Sequence, residues 1–162
     1  MNGLRAMLSL LVAAVLLAGC GFHLQGSGSL PEGMHKFYLI TADEVTPFAV
    51  ELRRAIERSG GQLTGTSAEA DTVVRIQRDR SGRRVLSVSA RNTPQEYEIF
   101  YSIGYSVDRG GKEVLELQPL EMVRNLSFDQ TQLLAKDREE AIIREAMARD
   151  LAVLVTRRLE SL

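Results

Sequence analysis

Cysteine, histidine and tryptophan are scarce in this chain of 162 residues, which contains one cysteine, two histidines and no tryptophan. One cysteine cannot form a disulfide within the chain. One cysteine and two histidines are also too few ligands for a metal site built from histidine and cysteine. The motifs H-E-x-x-H and G-x-S-x-G and a phosphate-binding glycine loop are also missing from the sequence. We therefore expect no catalytic site, no metal and no cofactor.

Neither sign of charge is in excess, since 20 lysines and arginines accompany 21 acidic residues. Between residues 72 and 94, however, six arginines stand with one acidic residue, Asp79. These arginines are Arg75, Arg78, Arg80, Arg83, Arg84 and Arg91. Arginine suits phosphate because its planar guanidinium donates two charge-assisted hydrogen bonds. A set of solvated strand arginines is the plainer explanation, and composition alone favours it.

Residues 1–19 have the organisation of a bacterial lipoprotein signal peptide. Arg5 supplies a positive start, residues 8–18 are almost wholly apolar, and Leu17-Ala18-Gly19-Cys20 matches the lipobox. An apolar run of about 7–15 residues suits a signal peptide and is too short to cross a bilayer as a helix. We expect cleavage before Cys20 and acylation of that cysteine, followed by a lipidated segment over residues 20–34. Gly21 at the next position favours sorting to the outer membrane, where nucleic acid is not an expected partner.

From residue 35 onwards the pattern predicts one domain that starts with a strand and a helix. Lys36 to Thr41 is aromatic and β-branched, as strands are. Thr46-Pro47 is typical of a helix start, and Gly60-Gly61 of a helix end. Phe48, Leu52, Ala55 and Ile56 form the apolar side of this helix at helical spacing.

Strand-like segments follow at residues 72–78, 85–90, 96–108 and 113–128. Ser81-Gly82 predicts a turn or kink between the first two segments, and Asp108 to Gly111 predicts a hairpin. Pro119 places the last segment at an edge of the sheet or at a bulge, because proline cannot donate to a neighbouring strand.

A second helix closes the predicted domain. Asp137 with Glu140 fits a capping box, which predicts Asp137 as the N-cap. The apolar side of this helix is expected at Ile143, Met147, Leu151, Leu154 and Val155. The order β-α-β-β-β-α predicts an α+β fold in which two helices pack on one face of a mostly antiparallel, about four-stranded sheet.

Three segments together resemble the LptE (RlpB) family of lipopolysaccharide-assembly lipoproteins. Residues 20–25, Cys-Gly-Phe-His-Leu-Gln, resemble the mature N-terminus of that family, which more often has arginine at Gln25. Arg91-Asn92 with Glu96-Tyr97-Glu98 resembles the start of the family's third strand. Residues 134–137, Leu-Ala-Lys-Asp, resemble the entry into its C-terminal helix.

The resemblance implies two helices on a four-stranded sheet, the fold already predicted, and it implies a function. LptE-like proteins plug the outer-membrane β-barrel LptD, help it to assemble and bind lipopolysaccharide (LPS) on its way to the outer leaflet. In the family, basic residues matching Arg91 and Lys136 are associated with LPS contact, and here both are expected in loops or at strand ends. A subunit of another outer-membrane assembly machine and an envelope-glycan enzyme are the alternatives. Whether Arg75, Arg78, Arg83 and Arg84 touch LPS, barrel or water is left open.

Overall fold

The computed structural model of this protein describes residues 30–92, 94–127 and 133–162. The predicted signal peptide and Cys20 lie outside these residues, and so does the family-like segment at 20–25. Within the described residues, five strands form one sheet and two helices pack against it.

The sheet combines a parallel part with a long antiparallel part. The strands are β1 (Lys36–Ile40), β2 (Gln62–Leu63), β3 (Thr72–Val88), β4 (Pro94–Arg109) and β5 (Lys112–Ser127). Their order across the sheet is β2-β1-β3-β4-β5. Strand β1 runs parallel to both of its neighbours, whereas β3, β4 and β5 are successively antiparallel. The mostly antiparallel sheet is confirmed, and the short β2 is the strand that the sequence pattern did not reveal.

Strand β3 is continuous, so the turn or kink predicted at Ser81-Gly82 is wrong. The ring of Phe100 on β4 explains why a glycine stands here. A Cβ atom added to Gly82 would lie 2.9 Å from the ring carbon Cζ of Phe100. Gly82 therefore lets this ring pack on the sheet. The irregularities of β3 lie elsewhere, in register shifts between Ile76 and Arg78 and between Val85 and Val88.

The β4–β5 hairpin and the edge position of Pro119 agree with prediction. Gly110 and Gly111 turn the chain with φ angles of 55° and 79°, in the left-handed region that glycine adopts readily. Pro119 lies on β5, which is the last strand of the sheet. Its missing N–H therefore costs no hydrogen bond to a neighbouring strand on that side.

Helix α1 (Pro47–Arg58) begins and ends where its local signals predict. The Thr46 hydroxyl oxygen accepts a hydrogen bond from the backbone N–H of Ala49 at 3.2 Å. At the other end Gly60 has a φ of 87°, and the N–H of Gly61 bonds to the carbonyl of Ile56 at 2.9 Å. All four residues predicted to form its apolar side are buried: Phe48, Leu52, Ala55 and Ile56.

A polar cluster fixes the start of α1 to the sheet. The hydroxyl of Tyr101 on β4 accepts the backbone N–H of Phe48 at 3.1 Å, and Thr46 donates to Asp79 on β3 at 2.5 Å. Burial, together with the negative charge of Asp79, raises the pKa of Tyr101 well above its usual value. The phenol is therefore neutral at physiological pH and is available as a fixed hydrogen-bonding group.

Asp71 ties the start of β1 to the start of β3. Its carboxylate accepts the backbone N–H groups of His35 and Lys36, both at 3.0 Å. Partial burial by itself would raise the pKa of Asp71, but these two hydrogen bonds and one from Thr72 outweigh it and lower the pKa below the usual 3.8. The charged form of Asp71 therefore stabilises this junction.

Helix α2 (Leu133–Glu160) starts before the predicted N-cap, so Asp137 lies inside the helix. The capping-box prediction is wrong because Glu140 does not reach back towards Asp137. Its carboxylate lies instead against Arg83 of β3 and Arg144 of the same helix. Of the predicted apolar residues, Leu154 is 41% exposed. Its place in the core is taken by smaller residues, Ala148 and Ala152.

Both helices lie on one face of the sheet, here called the helix face. The core is formed there by alternate β4 residues and the apolar sides of the helices. The buried β4 residues are Ile99, Tyr101, Ile103, Tyr105 and Val107. The opposite face, here called the open face, carries Phe100, Ser102 and Ser106 of β4, and no described helix packs on it. Neither described helix is long and apolar enough to cross a membrane.

Candidate functional site

Arg91, a predicted LPS contact, lies in the turn between β3 and β4. The N–H of Asn92 bonds to the Ser89 carbonyl at 2.9 Å, and the N–H of Arg91 bonds to the Ser89 hydroxyl oxygen at 3.2 Å. Asn92 closes the turn with a φ of 58°, which asparagine tolerates better than most residues. The side chain of Arg91 is exposed and has no ion pair with a described residue. As predicted, it is a loop cation that a ligand can reach.

Lys136, the second predicted LPS contact, is not a loop residue, because α2 has already begun at Leu133. Its ammonium group lies 2.8 Å from the carboxylate of Glu139, one turn further along the helix. The side chain is only 17% exposed. Lys136 is therefore a partly covered helix cation that already has an anionic partner.

An ion pair between distant segments shows where the two residues lie. Glu140 on α2 is 5% exposed, and its carboxylate is 3.1 Å from the guanidinium of Arg83 on β3. Lys136 precedes Glu140 by one helical turn, and Arg91 follows the end of the strand that carries Arg83. The first turns of α2 therefore lie over the β3–β4 end of the sheet, and Arg91 and Lys136 share that end of the domain.

Three of the arginines whose role was left open have acidic partners from other elements. Arg75 pairs with Asp108 at 2.7 Å, and Arg83 with Glu140. The guanidinium of Arg84 bonds to the carboxylate of Glu98, and it also lies 3.1 Å from that of Glu121. The hydrogen bonds that Arg84 donates to Glu98 and to Glu121 raise the pKa of Arg84 above its usual value. These arginines hold the strands and α2 together.

Two of these arginines also stack on aromatic rings. The guanidinium carbon of Arg83 is 5.3 Å from the ring centre of Tyr97, and that of Arg84 is 5.2 Å from the ring centre of Phe100. A cation over a ring gains electrostatic attraction from the ring face. The two rings lie on opposite faces of the sheet, so Arg83 and Arg84 stabilise both faces near the β3–β4 end.

Arg78 and Arg80 differ from these three, because neither has an ion pair with a described residue. Arg78 is paired in register with Gly104 and Arg80 with Ser102, which places both on the open face. Both side chains are exposed. The open face therefore carries cations that are free to meet an anionic or polar partner.

The sequence pattern of residues 72–94 did not reveal the acidic partners of these arginines, which lie in other elements. Glu98, Glu121 and Glu140 lie 14, 37 and 57 positions from the arginines they contact. The alternation within each strand could have placed Arg84 and Glu98 on one face, but only if the register of the pairing were known. Among the described residues, no group of three or more His, Cys, Asp or Glu side chains could hold a metal ion.

Comparisons with known proteins agree with this architecture. The sequence model of the family described as "LptE: Lipopolysaccharide-assembly" matches residues 34–159. The LPS-assembly lipoprotein LptE of Pectobacterium atrosepticum is 25% identical over 149 residues, which are 91% of this chain and 80% of that protein. That of Yersinia pestis (strain Pestoides F) is 25% identical over 157 residues, which are 96% of this chain and 75% of that protein.

Two solved structures share the fold. The solution structure of an uncharacterized lipoprotein B from Nitrosomonas europaea superposes with a TM-score of 0.72 at 24% identity, covering 87% of this chain and 91% of that one. The crystal structure of the rare lipoprotein B from Shewanella oneidensis gives a TM-score of 0.68 at 23% identity, covering 78% and 95%. At these identities the likeness establishes the fold alone.

Proposed function

Because this chain belongs to the LptE family of lipopolysaccharide-assembly proteins, we propose that it plugs an LptD-like outer-membrane β-barrel from within and binds LPS there. The protein is an LPS-assembly lipoprotein associated with the outer membrane.

The character of the domain's exterior supports the plug role. A protein inside a wide barrel faces a polar lumen and water, so it needs a hydrogen-bonding exterior. The open face supplies one, since Arg78 and Arg80 are exposed there and the half-buried Ser102 lies beside Arg80. The outward side of α2 also carries charged groups, since Arg149 and Asp150 are exposed.

Anchoring would come from Cys20. We propose that this cysteine carries acyl chains, because several chains anchor a protein far more firmly than one. The protein would then sit at the periplasmic side of the outer membrane, with the domain reaching into the barrel. Replacing Cys20 with Ala should abolish metabolic labelling with radioactive palmitate, and labelling that persists would exclude this site.

The proposal that this protein binds LPS rests on the exposed side chain of Arg91. It is a loop cation at one end of the sheet, and among the described residues it has no acidic partner to displace. A guanidinium of this kind binds phosphate with two parallel hydrogen bonds. Lys136 lies at the same end and can add a second positive charge, although Glu139 competes for it.

The plug role is tested by affinity purification of the tagged, lipidated protein from detergent-extracted outer membranes. We expect one large β-barrel protein at equal stoichiometry, identified by mass spectrometry. Recovery of the lipoprotein alone, or with another assembly machine, would remove the plug role and leave the family assignment intact.

The LPS-binding role is tested with the full-length, lipidated protein in nanodiscs of zwitterionic lipid. Arg91→Asp should weaken LPS binding by about tenfold to 150-fold, since a hydrogen bond to a charged group contributes about 1.5–3 kcal/mol. Arg80→Asp is the matched control, because Arg80 is also exposed and also has no ion pair with a described residue. Equal effects of the two substitutions would show that only general charge matters and would exclude a site at Arg91.

A further inference from the structure

The last residues of β3 expose more apolar surface than the rest of that strand. Val85, Leu86 and Val88 are 50%, 50% and 52% exposed. Leu86 has no partner in the β4 register, which shifts between Val85 and Ser87. We call these three residues the apolar tip.

The apolar tip lies where the helix layer no longer provides an apolar cover. Over this end of the sheet, α2 contacts β3 through the ion pair between Glu140 and Arg83. Single exposed apolar residues are normal on protein surfaces, but here three half-exposed apolar side chains fall within four positions at one strand end, where the register shifts interrupt the regular alternation of faces. Exposed valine and leucine in such a cluster indicate a surface that is covered by a partner.

Cations surround the apolar tip. Arg83 and Arg84 precede it directly, and Arg91 follows in the next turn. Arg83 and Arg84 have acidic partners, whereas Arg91 has no ion pair with a described residue. An apolar patch beside a reachable guanidinium complements an amphiphile that joins fatty-acyl chains to a phosphate.

We infer that the apolar tip, Val85, Leu86 and Val88, contacts the fatty-acyl chains of LPS while Arg91 binds a phosphate of the same molecule. This inference rests on the proposed function, because it assigns part of the ligand to a surface beside the proposed LPS site. It goes beyond a charge contact, since it requires the strand end to lie among acyl chains.

Photocrosslinking in living cells tests the inference with the complete, lipidated chain. Leu86 and Val88 are each replaced with p-benzoylphenylalanine, and adducts are purified and mapped by mass spectrometry. Asn92, next to Arg91, receives the same replacement as a marker of the phosphate site. Ile40 and Leu117 are matched controls, because they are 36% and 49% exposed but lie away from the β3–β4 end.

We expect LPS adducts at Leu86 and Val88, with yields several-fold above those at Ile40 and Leu117 and with the new bond on an acyl chain. Adducts at Asn92 without adducts at the tip would overturn the inference and leave LPS binding in place. So would tip adducts with the barrel protein, or with the sugar part of LPS. No LPS adduct at any position would remove the proposed LPS binding as well.

A second set of variants measures affinity. Leu86→Thr with Val88→Thr places β-branched residues, which suit a strand, at both positions, and the control is Ile40→Thr with Leu117→Thr. Bound LPS would cover two half-exposed apolar side chains, and threonine would weaken that contact. We therefore expect about a tenfold loss of LPS binding for the tip variant and no loss for the control. Equal binding by the two variants, both with native thermal unfolding, would overturn the inference.

Discussion

Glu140 joins α2 to the sheet at the end that carries the proposed LPS site, and replacing it with Gln should loosen that end. The carboxylate is 5% exposed and contacts the guanidinium groups of Arg83 and Arg144. Gln has nearly the same volume, so the substitution removes the charge without making a cavity. Both arginines would then lose their anionic partner in a partly buried place.

The expected loss of stability follows from the exposure of the three groups. Removing one partner of a fully buried ion pair costs about 3–5 kcal/mol. Here the side chains of Arg83 and Arg144 are 50% and 35% exposed, so water can solvate them after the change. We therefore expect Glu140→Gln to lower the free energy of unfolding by about 1–2 kcal/mol. For a domain of this size that lowers the Tm by about 3–8 °C.

The measurement is thermal unfolding by circular dichroism, with Glu139→Gln as the matched control. Glu139 lies on the same helix but is 48% exposed, and its pair with Lys136 should contribute about 0–0.5 kcal/mol. Hydrogen exchange should also speed up in the first turns of α2 for Glu140→Gln. If the Tm values of the two variants differ by less than about 1 °C, the ion pair does not fix the helix and the reasoning is refuted.

Three further changes test other contacts. Tyr101→Phe leaves the N–H of Phe48 without its partner and should cost about 1–3 kcal/mol in chemical unfolding; a loss under about 0.5 kcal/mol would contradict it. The depressed pKa of Asp71 means that its contribution is complete above pH 3.8 and is lost as pH falls through the folded-state pKa. The stability difference from Asp71→Asn should therefore be constant above about pH 5 and shrink below about pH 4; a difference that does not change with pH would exclude this role. Gly111→Ala should cost about 1 kcal/mol through its positive φ, and an unchanged unfolding midpoint would show that the turn relaxes.

Local signals were enough to predict α1, because everything that starts and stops it lies within its own segment. Thr46 caps the helix, Pro47 fits its first turn, and Gly60-Gly61 adopts the backbone that ends it. The hairpin at Gly110-Gly111 was predictable for the same reason. Signals of this kind act over a few residues, so the sequence pattern contains them in full.

The wrong predictions at Gly82 and Glu140 concern residues whose contacts are distant in the sequence. Gly82 suggests a turn only until Phe100 of the next strand is placed over it. Glu140 suggests a capping box only until Arg83, 57 positions away, is found beside it. Local rules place glycine at turns and glutamate at helix starts. Here both residues lie instead where two elements pack against each other. The pairing of β3 with β4 was needed to see the first contact, and the packing of α2 on β3 was needed to see the second.

The arginine-rich segment shows why charge counting could not locate the proposed LPS site. Six arginines with one acid resemble an anion-binding surface, yet Arg75, Arg83 and Arg84 are held by acids from β4, β5 and α2. A ligand phosphate at those positions would have to displace a carboxylate that is already in place. Arg91 has no ion pair with a described residue, so a phosphate bound there would displace no carboxylate. Arg78 and Arg80 also have no ion pair with a described residue, and what distinguishes them from Arg91 is their position on the open face, away from the β3–β4 turn.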